Sequence, residues 1–333
     1  MKKIGWIQTV SAAGGGERMN SLARQALGLK FEVDIIKTYI GNELGASIPQ
    51  RARMLFKLAT MNGGSRDCWI LNDYFACALL SSPFLRLDGK RIAYLHHIDT
   101  ESQVKGEVKK KIARIFERLC YRNLHELSCV VVVSDYWKRW FETMGAARVE
   151  VVYCGLPVNQ FSFREEEITD FKQRYNLTNK PIIYLGNCRK EKGAPRSYNA
   201  LKHLDAHFVT SGKREVMIPA TNLDLPYRDY QLLLAAADIA VTMSEFKEGW
   251  CMTAHEAMLC STPVIGSGAG GMKELLEGGK QLVCEDYSLL PSAVKEALED
   301  PTLGEKGRAF ASTFTTERFN QKWQQIVQSV IDN

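Results

Sequence analysis

No apolar run in the 333-residue sequence approaches the roughly 20 residues that span a bilayer, so no membrane-crossing helix is expected. Residues 1–10 carry no signal-peptide pattern. Lys2 and Lys3 lead straight into Ile4-Gly5-Trp6-Ile7, which reads as a first strand. Cysteine occurs nine times, an odd count, and never as C-x-x-C. That argues against a disulfide framework or a zinc site and for reduced thiols in a cytoplasmic setting. No Asp-x-Asp pair follows a strand-like run, so no carboxylate pair with Mg²⁺ geometry is apparent and no metal is expected. Internal repeats and low-complexity segments are also missing.

What is present is ordinary globular chemistry, with 45% hydrophobic and 24% charged residues. The length exceeds the usual size of a single core, so two domains are expected. Charge is split between them. Residues 1–164 hold 24 Lys and Arg against 15 Asp and Glu, a net of +9, whereas the remainder carries 19 against 23, a net of −4. A basic half suits an anionic membrane, a nucleic acid or a phosphorylated acceptor, and equally a plain solvated surface.

Short β-rich runs alternate with longer helical stretches, the mark of an α/β chain with parallel sheets. The strand candidates of the first half are 4–10, 31–39, 68–71, 91–96, 130–133 and 149–153. Those of the second half are 182–185, 207–210, 216–218, 239–242, 264–265 and 282–284. Two such series predict two Rossmann-like domains, 1–160 and 161–313, followed by a C-terminal helix, 314–333. That helix carries Phe319, Trp323, Ile326, Val327 and Val330 at helical spacing.

The densest chemistry lies in Ser244-Glu-Phe-Lys-Glu248-Gly-Trp-Cys-Met-Thr-Ala-His-Glu256-Ala-Met258. Two carboxylates, Glu248 and Glu256, stand eight positions apart, one after a strand-like run and one in a helix-like run, with Gly249 at the junction. Such a junction gathers backbone N–H groups, a helix dipole and carboxylate acceptors. The combination suits a ligand that is part phosphate and part polyol. Leu-Leu-Ala-Ala-Ala-Asp238 precedes the block, and Thr262-Pro-Val-Ile-Gly266 with Gly270-Gly271 and Glu274 follows it. From Tyr230 to Glu274 the sequence resembles the donor-site signature of family 4 glycosyltransferases, which have the GT-B fold: two Rossmann-like domains facing across a cleft. Weaker echoes extend over most of the chain.

The resemblance implies a retaining, metal-independent hexosyltransferase that uses a nucleotide-diphosphate sugar. It assigns Glu248 to the transferred sugar and Glu256 to the ribose, with Gly249, Trp250, Cys251, Met252 and Thr253 lining the site. Trp250-Cys251 replaces the family's Phe-Gly, putting a side chain where glycine allows close backbone approach. Asn187-Cys-Arg189-Lys-Glu-Lys192-Gly193 resembles the family's phosphate loop. Lys192 matches directly, whereas the family arginine falls on Asn187 and Arg189 stands two places later. Fixed cations there would stabilise a leaving diphosphate. Gly14, Gly15 and Gly16 open a helix after the first strand, where N–H groups can approach a phosphate or an acceptor. His96 and His97 close a strand, and the family often places a histidine there beside the sugar; which of the two it is stays open. Asp99 reads as a helix cap.

The stretch from Gln103 to Leu124 lines Val104, Val108, Ile112, Ile115 and Leu119 along one face of a basic helix. That face fits either core packing or an anionic membrane. The expected partners are a nucleotide-sugar donor and a saccharide or lipid-linked acceptor, with peripheral contact at the inner face of the membrane as an open reading. No nucleic-acid partner is expected, and the chain is read as a monomer or homodimer. The rival functions are a non-catalytic sugar-nucleotide-binding subunit, a sugar-nucleotide epimerase and a phosphorylase.

Overall fold

The computed structural model describes residues 1–9, 15–38, 48–98 and 106–333. Contacts divide the chain into two compact units, Met1–Gly155 with Thr316–Asn333, and Leu156–Thr315. Each is built on a six-stranded sheet whose strand pairs are all parallel.

The first sheet comprises β1 (Lys3–Gln8), β2 (Glu32–Lys37), β3 (Asn62–Leu71), β4 (Arg86–Tyr94), β5 (Cys129–Val132) and β6 (Val149–Val151), in the order β2-β1-β3-β4-β5-β6. Its core strands read as unbroken apolar runs because helices cover both faces, as in Cys129-Val-Val-Val132, all buried. Helices α1 (Gly15–Gly28), α2 (Ile48–Ala59), α3 (Tyr74–Ala78), α4 (Glu107–Arg122) and α5 (Asp135–Thr143) belong to this unit.

The second sheet comprises β7 (Ile182–Asn187), β8 (His207–Ser211), β9 (Thr221–Leu223), β10 (Ile239–Thr242), β11 (Val264–Gly266) and β12 (Leu282–Val283), in the order β12-β11-β10-β7-β8-β9. Around it lie α6 (Glu165–Arg174), α7 (Ala194–Leu201), α8 (Tyr227–Ala236), α9 (Met252–Leu259), α10 (Met272–Gly278), α11 (Leu290–Glu299) and α12 (Thr302–Ala311). One strand expectation fails here. Residues 216–218 form no strand, and β9 lies three residues beyond them. The segment before β9 is held irregularly: the Glu215 N–H donates to the Cys188 carbonyl at 2.9 Å, and the Cys188 thiol to the Val216 carbonyl at 3.3 Å.

The chain leaves the first unit at Gly155, five residues ahead of the expected boundary. Leu156 belongs to the second unit because its N–H donates to the Phe314 carbonyl at 3.1 Å. The last helix, α13 (Thr316–Asp332), packs in the first unit. Its Trp323 is buried edge-on against Tyr94 with ring centroids 4.8 Å apart, and the Gln324 amide donates to the Ala26 carbonyl at 2.8 Å.

Helix α4 turns Ala113, Phe116 and Cys120 inward, and Phe116 meets Phe75 of α3 at 5.1 Å between ring centroids. The stripe anticipated from the sequence divides: Val108, Ile112 and Ile115 are 68%, 42% and 53% exposed, whereas Leu119 packs against the core. Val104 lies outside the described residues.

Candidate functional site

Loops at the carboxyl ends of parallel strands are where α/β sheets collect ligand-binding groups. In the second unit β10 ends at Thr242, and the chain runs through residues 243–251 into α9. Midway, the Glu248 backbone is pinned twice: its N–H donates to the Ala269 carbonyl at 3.0 Å, and its carbonyl accepts from the Gly271 N–H at 2.9 Å. Gly270 makes that approach possible. It has φ +70°, and a Cβ there would lie 2.4 Å from the Glu248 carbonyl oxygen. Only glycine fits such a contact at such a dihedral.

The Glu248 side chain is 8% exposed, yet it is not isolated. Lys192 Nζ lies 2.6 Å from its Oε1, and Ser244 Oγ donates to the same oxygen at 2.5 Å. Lys192 comes from the turn after β7, where Gly193 (φ +73°) lets the chain pass the Met243 carbonyl. The ammonium also sits 4.7 Å from the centre of the Phe246 ring. Burial works against the Lys192 charge, but the Glu248 carboxylate outweighs it, so the lysine is held above its ordinary pKa. The site therefore carries a fixed cation whose partner is a buried carboxylate.

Helix α9 presents its first turn beside this pair. Cys251, its cap, adopts φ +66°, the left-handed conformation in which the family pattern has glycine. Burial, then the nearby Glu248 charge, pushes the Cys251 thiol up to about 12, which keeps it protonated and unreactive. Gly249 is buried and Met252 and Thr253 are half-buried. Trp250 turns its indole into the core, where Nε1 donates to His255 Nδ1 at 3.2 Å. Glu256 is buried on α9 and accepts from the Tyr227 hydroxyl at 2.7 Å. The structure thus brings Glu248, Lys192, Gly249, Cys251, Met252 and Thr253 to one strand–helix junction.

Residues 221–313 match the family described as Glycosyl transferases group 1. The second unit carries a glycosyl transferase group 1 domain. An uncharacterized glycosyltransferase of Methanocaldococcus jannaschii is 25% identical over 258 residues, covering 70% of this chain and 66% of its own. Across the curated relatives that match, the chain spans 52% to 66% of their length. Two solved structures share the architecture. One is Anabaena HepE in complex with UDP-glucose, with TM-score 0.75 and 19% identity over 99% of this chain and 100% of that one. The other is sucrose-phosphate synthase of Thermosynechococcus elongatus, with TM-score 0.80 and 18% identity over 99% of both chains. The fold is GT-B.

The other anticipated residues of this GT-B chain are placed as follows. Arg189 is an ion-pair partner of two carboxylates, Glu191 at 3.1 Å and Glu215 at 3.0 Å. Asn187 ends β7 with its amide 3.4 Å from Ser211 Oγ. In the first unit, His96 Nε2 donates to Asn20 Oδ1 at 3.0 Å. Burial, and then its neighbour His97, pushes His96 down to about 3, so its ring stays neutral. His97 lies 6.5 Å from Trp137 between ring centroids. Asn20 sits on α1 beside Glu17, which in turn holds Arg24 at 2.8 Å. Gly15 and Gly16 are exposed in the first turn of α1, and no atom crowds a Cβ at Gly16. Gly14 and Asp99 lie outside the described residues.

The sequence did not point to Ser244, Tyr227, Asn20 or His255. Ser244 and His255 stand within the quoted block, one a hydroxyl four residues before the first glutamate, the other an imidazole five residues after Trp250. Tyr227 and Asn20 act through partners distant in sequence, which a linear pattern does not register.

Proposed function

We propose that this chain is a retaining glycosyltransferase that moves a hexose from a nucleotide-diphosphate sugar to a saccharide or lipid-linked acceptor without a metal ion. The observation that carries the reading is the Lys192–Glu248 pair, 2.6 Å long, held at the mouth of α9 over Gly270. As the bond to the sugar breaks, charge grows on the diphosphate. Lys192 and the first-turn N–H groups of α9 stabilise it more than the ground state. Glu248 accepts from hydroxyls of the transferred sugar and Glu256 from those of the ribose. Arg189 supplies a second cation by turning from its carboxylate partners, and His96 or His97 serves the acceptor end. Support comes from the family match and from the UDP-glucose complex of the Anabaena neighbour.

A thermal-shift screen against UDP-, GDP- and ADP-sugars tests the donor class. A true ligand at 100 times its Kd should stabilise the protein by about 2.7 kcal/mol. With that donor in hand, Lys192→Ala should weaken nucleoside diphosphates by roughly ten- to a hundredfold, the worth of a charged hydrogen bond. Binding of the bare nucleoside should hardly change. Titration calorimetry with both ligands gives the ratio, and an unchanged ratio removes Lys192 from the phosphate site. Tight donor binding with neither transfer nor hydrolysis would instead make the chain a binding subunit.

We further propose that it works at the cytoplasmic face of an anionic membrane. The exposed Val108–Ile112–Ile115 stripe is flanked by exposed Lys109, Lys111, Arg118 and Arg122. Helix α2 adds Phe56, 71% exposed, beside Arg53 and Lys57. Apolar residues edged by long cations suit the headgroup boundary. Each cation near such a surface contributes about 1 kcal/mol, so four suffice for reversible attachment. The protein should co-sediment with phosphatidylglycerol vesicles at low salt and be released as salt rises. Protein left in the supernatant at low salt would make the stripe a merely solvated face.

A further inference from the structure

Three residues separate Glu248 from the first turn of α9, and their conformation is fixed from the core side. Cys251 stands at φ +66°, which costs a residue with a Cβ about 1–2 kcal/mol. Something must hold it there. Trip points for slippage are closed by Trp250, whose buried indole N–H donates to His255 Nδ1 at 3.2 Å. His255 is fully buried on α9, and its backbone N–H donates to the Cys251 carbonyl at 3.2 Å. Its Nε2 donates to the Ala311 carbonyl at the end of α12, again at 3.2 Å. Phe314 stands edge-on to both rings, at 5.1 Å from Trp250 and 5.6 Å from His255 between centroids.

The chemistry of the two bonds selects one form of the imidazole. A carbonyl oxygen only accepts, so Nε2 carries the proton. Nδ1 is then left with the lone pair that the Trp250 N–H requires. The opposite tautomer breaks both bonds, and the imidazolium sets two N–H groups against each other.

We propose that His255, as the neutral Nε2–H tautomer, is the positioning residue that latches Trp250 and so holds Gly249–Cys251 in the shape that sets Glu248 against the first turn of α9. Its effect on turnover rests on the glycosyltransferase reading; the latch itself rests on the hydrogen bonds. With the latch open, Cys251 can relax to negative φ and shift the first turn of α9 relative to Glu248, whose backbone stays pinned by Ala269 and Gly271. Displacements of about 1 Å at a reacting centre are known to cost up to a hundredfold in rate.

Two replacements separate the bonds. In His255→Asn the amide oxygen takes the place of Nδ1 and still accepts from Trp250. In His255→Gln the amide nitrogen takes the place of Nε2 and keeps only the Ala311 bond. We expect His255→Gln and Trp250→Phe each to lower kcat by roughly tenfold, about one net hydrogen bond, with nucleotide Kd near wild type. His255→Asn should stay close to wild type, and the Trp250→Phe/His255→Gln double variant should lose no more than either single. Equal losses in Asn and Gln, or multiplying losses in the double variant, would overturn the proposal. Nitrogen-15 NMR of labelled histidine provides a readout that needs no turnover: His255 should appear as Nε2–H, and an Nδ1–H signal refutes the latch. If no variant and no wild-type protein transfers sugar, the functional reading fails. The NMR signal and the same cycle measured on unfolding free energies would still decide the latch.

Discussion

Glu248→Gln is expected to lower transfer by roughly two to three orders of magnitude, the loss typical of removing one charge-stabilising group from a reacting centre. Binding of the bare nucleotide should change far less. The substitution preserves shape, and the amide oxygen can still accept from Lys192 and Ser244, which now meet at Oε1 within 2.6 Å and 2.5 Å. What disappears is the negative charge that the proposed function sets against the sugar hydroxyls. A charge-assisted acceptor is about twice as strong as a neutral one, and the difference is greatest where water is thin. Stability should fall only modestly, because the Lys192 side chain is 26% exposed and keeps some access to water. Steady-state rates with the cognate donor, set beside calorimetry with the nucleotide alone, distinguish the roles. Parallel losses in both would make Glu248 a structural residue.

The fold was legible where burial on both faces writes itself as an apolar run. Ile182-Ile-Tyr-Leu185 and Cys129-Val-Val-Val132 leave little alternative to buried parallel strands. The first half of β3 was not legible. Asn62-Gly-Gly-Ser-Arg66 reads as a turn, yet it pairs with β4 through register shifts, and Gly63 lies flat under the Trp69 ring, where a Cβ would come within 2.4 Å. Residues 216–218 failed in the opposite sense: an apolar Val-Met-Ile triplet without a sheet partner is only a loop. Helix α4 was ambiguous on physical grounds. It has two apolar stripes, and periodicity cannot say which one meets the Phe75 ring. In the candidate site, the residues that a motif spells out in order, Lys192, Glu248 and Glu256, could be named from the sequence. Those that orient them could not. Tyr227 reaches Glu256 across 29 positions and Ala311 reaches His255 across 56, so only the folded chain brings them together.

Acid should destabilise the second unit through His255. Burial pushes its imidazole from the ordinary value near 6.5 down to about 4. The folded state therefore refuses a proton that the unfolded chain accepts. The associated stability is complete above pH 6.5 and drains away as the pH falls toward 4. At about 1.4 kcal/mol per pH unit, the loss across that window is about 3 kcal/mol, a large share of a typical folding free energy. His96, pushed down to about 3, acts in the same direction, so the wild-type curve alone does not isolate the residue. The comparison with His255→Asn does. That variant keeps an acceptor for the Trp250 N–H but has nothing to titrate. Urea unfolding at pH 7 and at pH 4 should show the wild type losing about 3 kcal/mol more than the variant. Such a difference would tie the acid sensitivity to the buried bond pair, since protonation at Nδ1 sets it against the indole N–H and undoes the hold on Cys251. Equal losses in the two proteins would mean that His255 takes up its proton inside the fold, with Trp250 finding another acceptor.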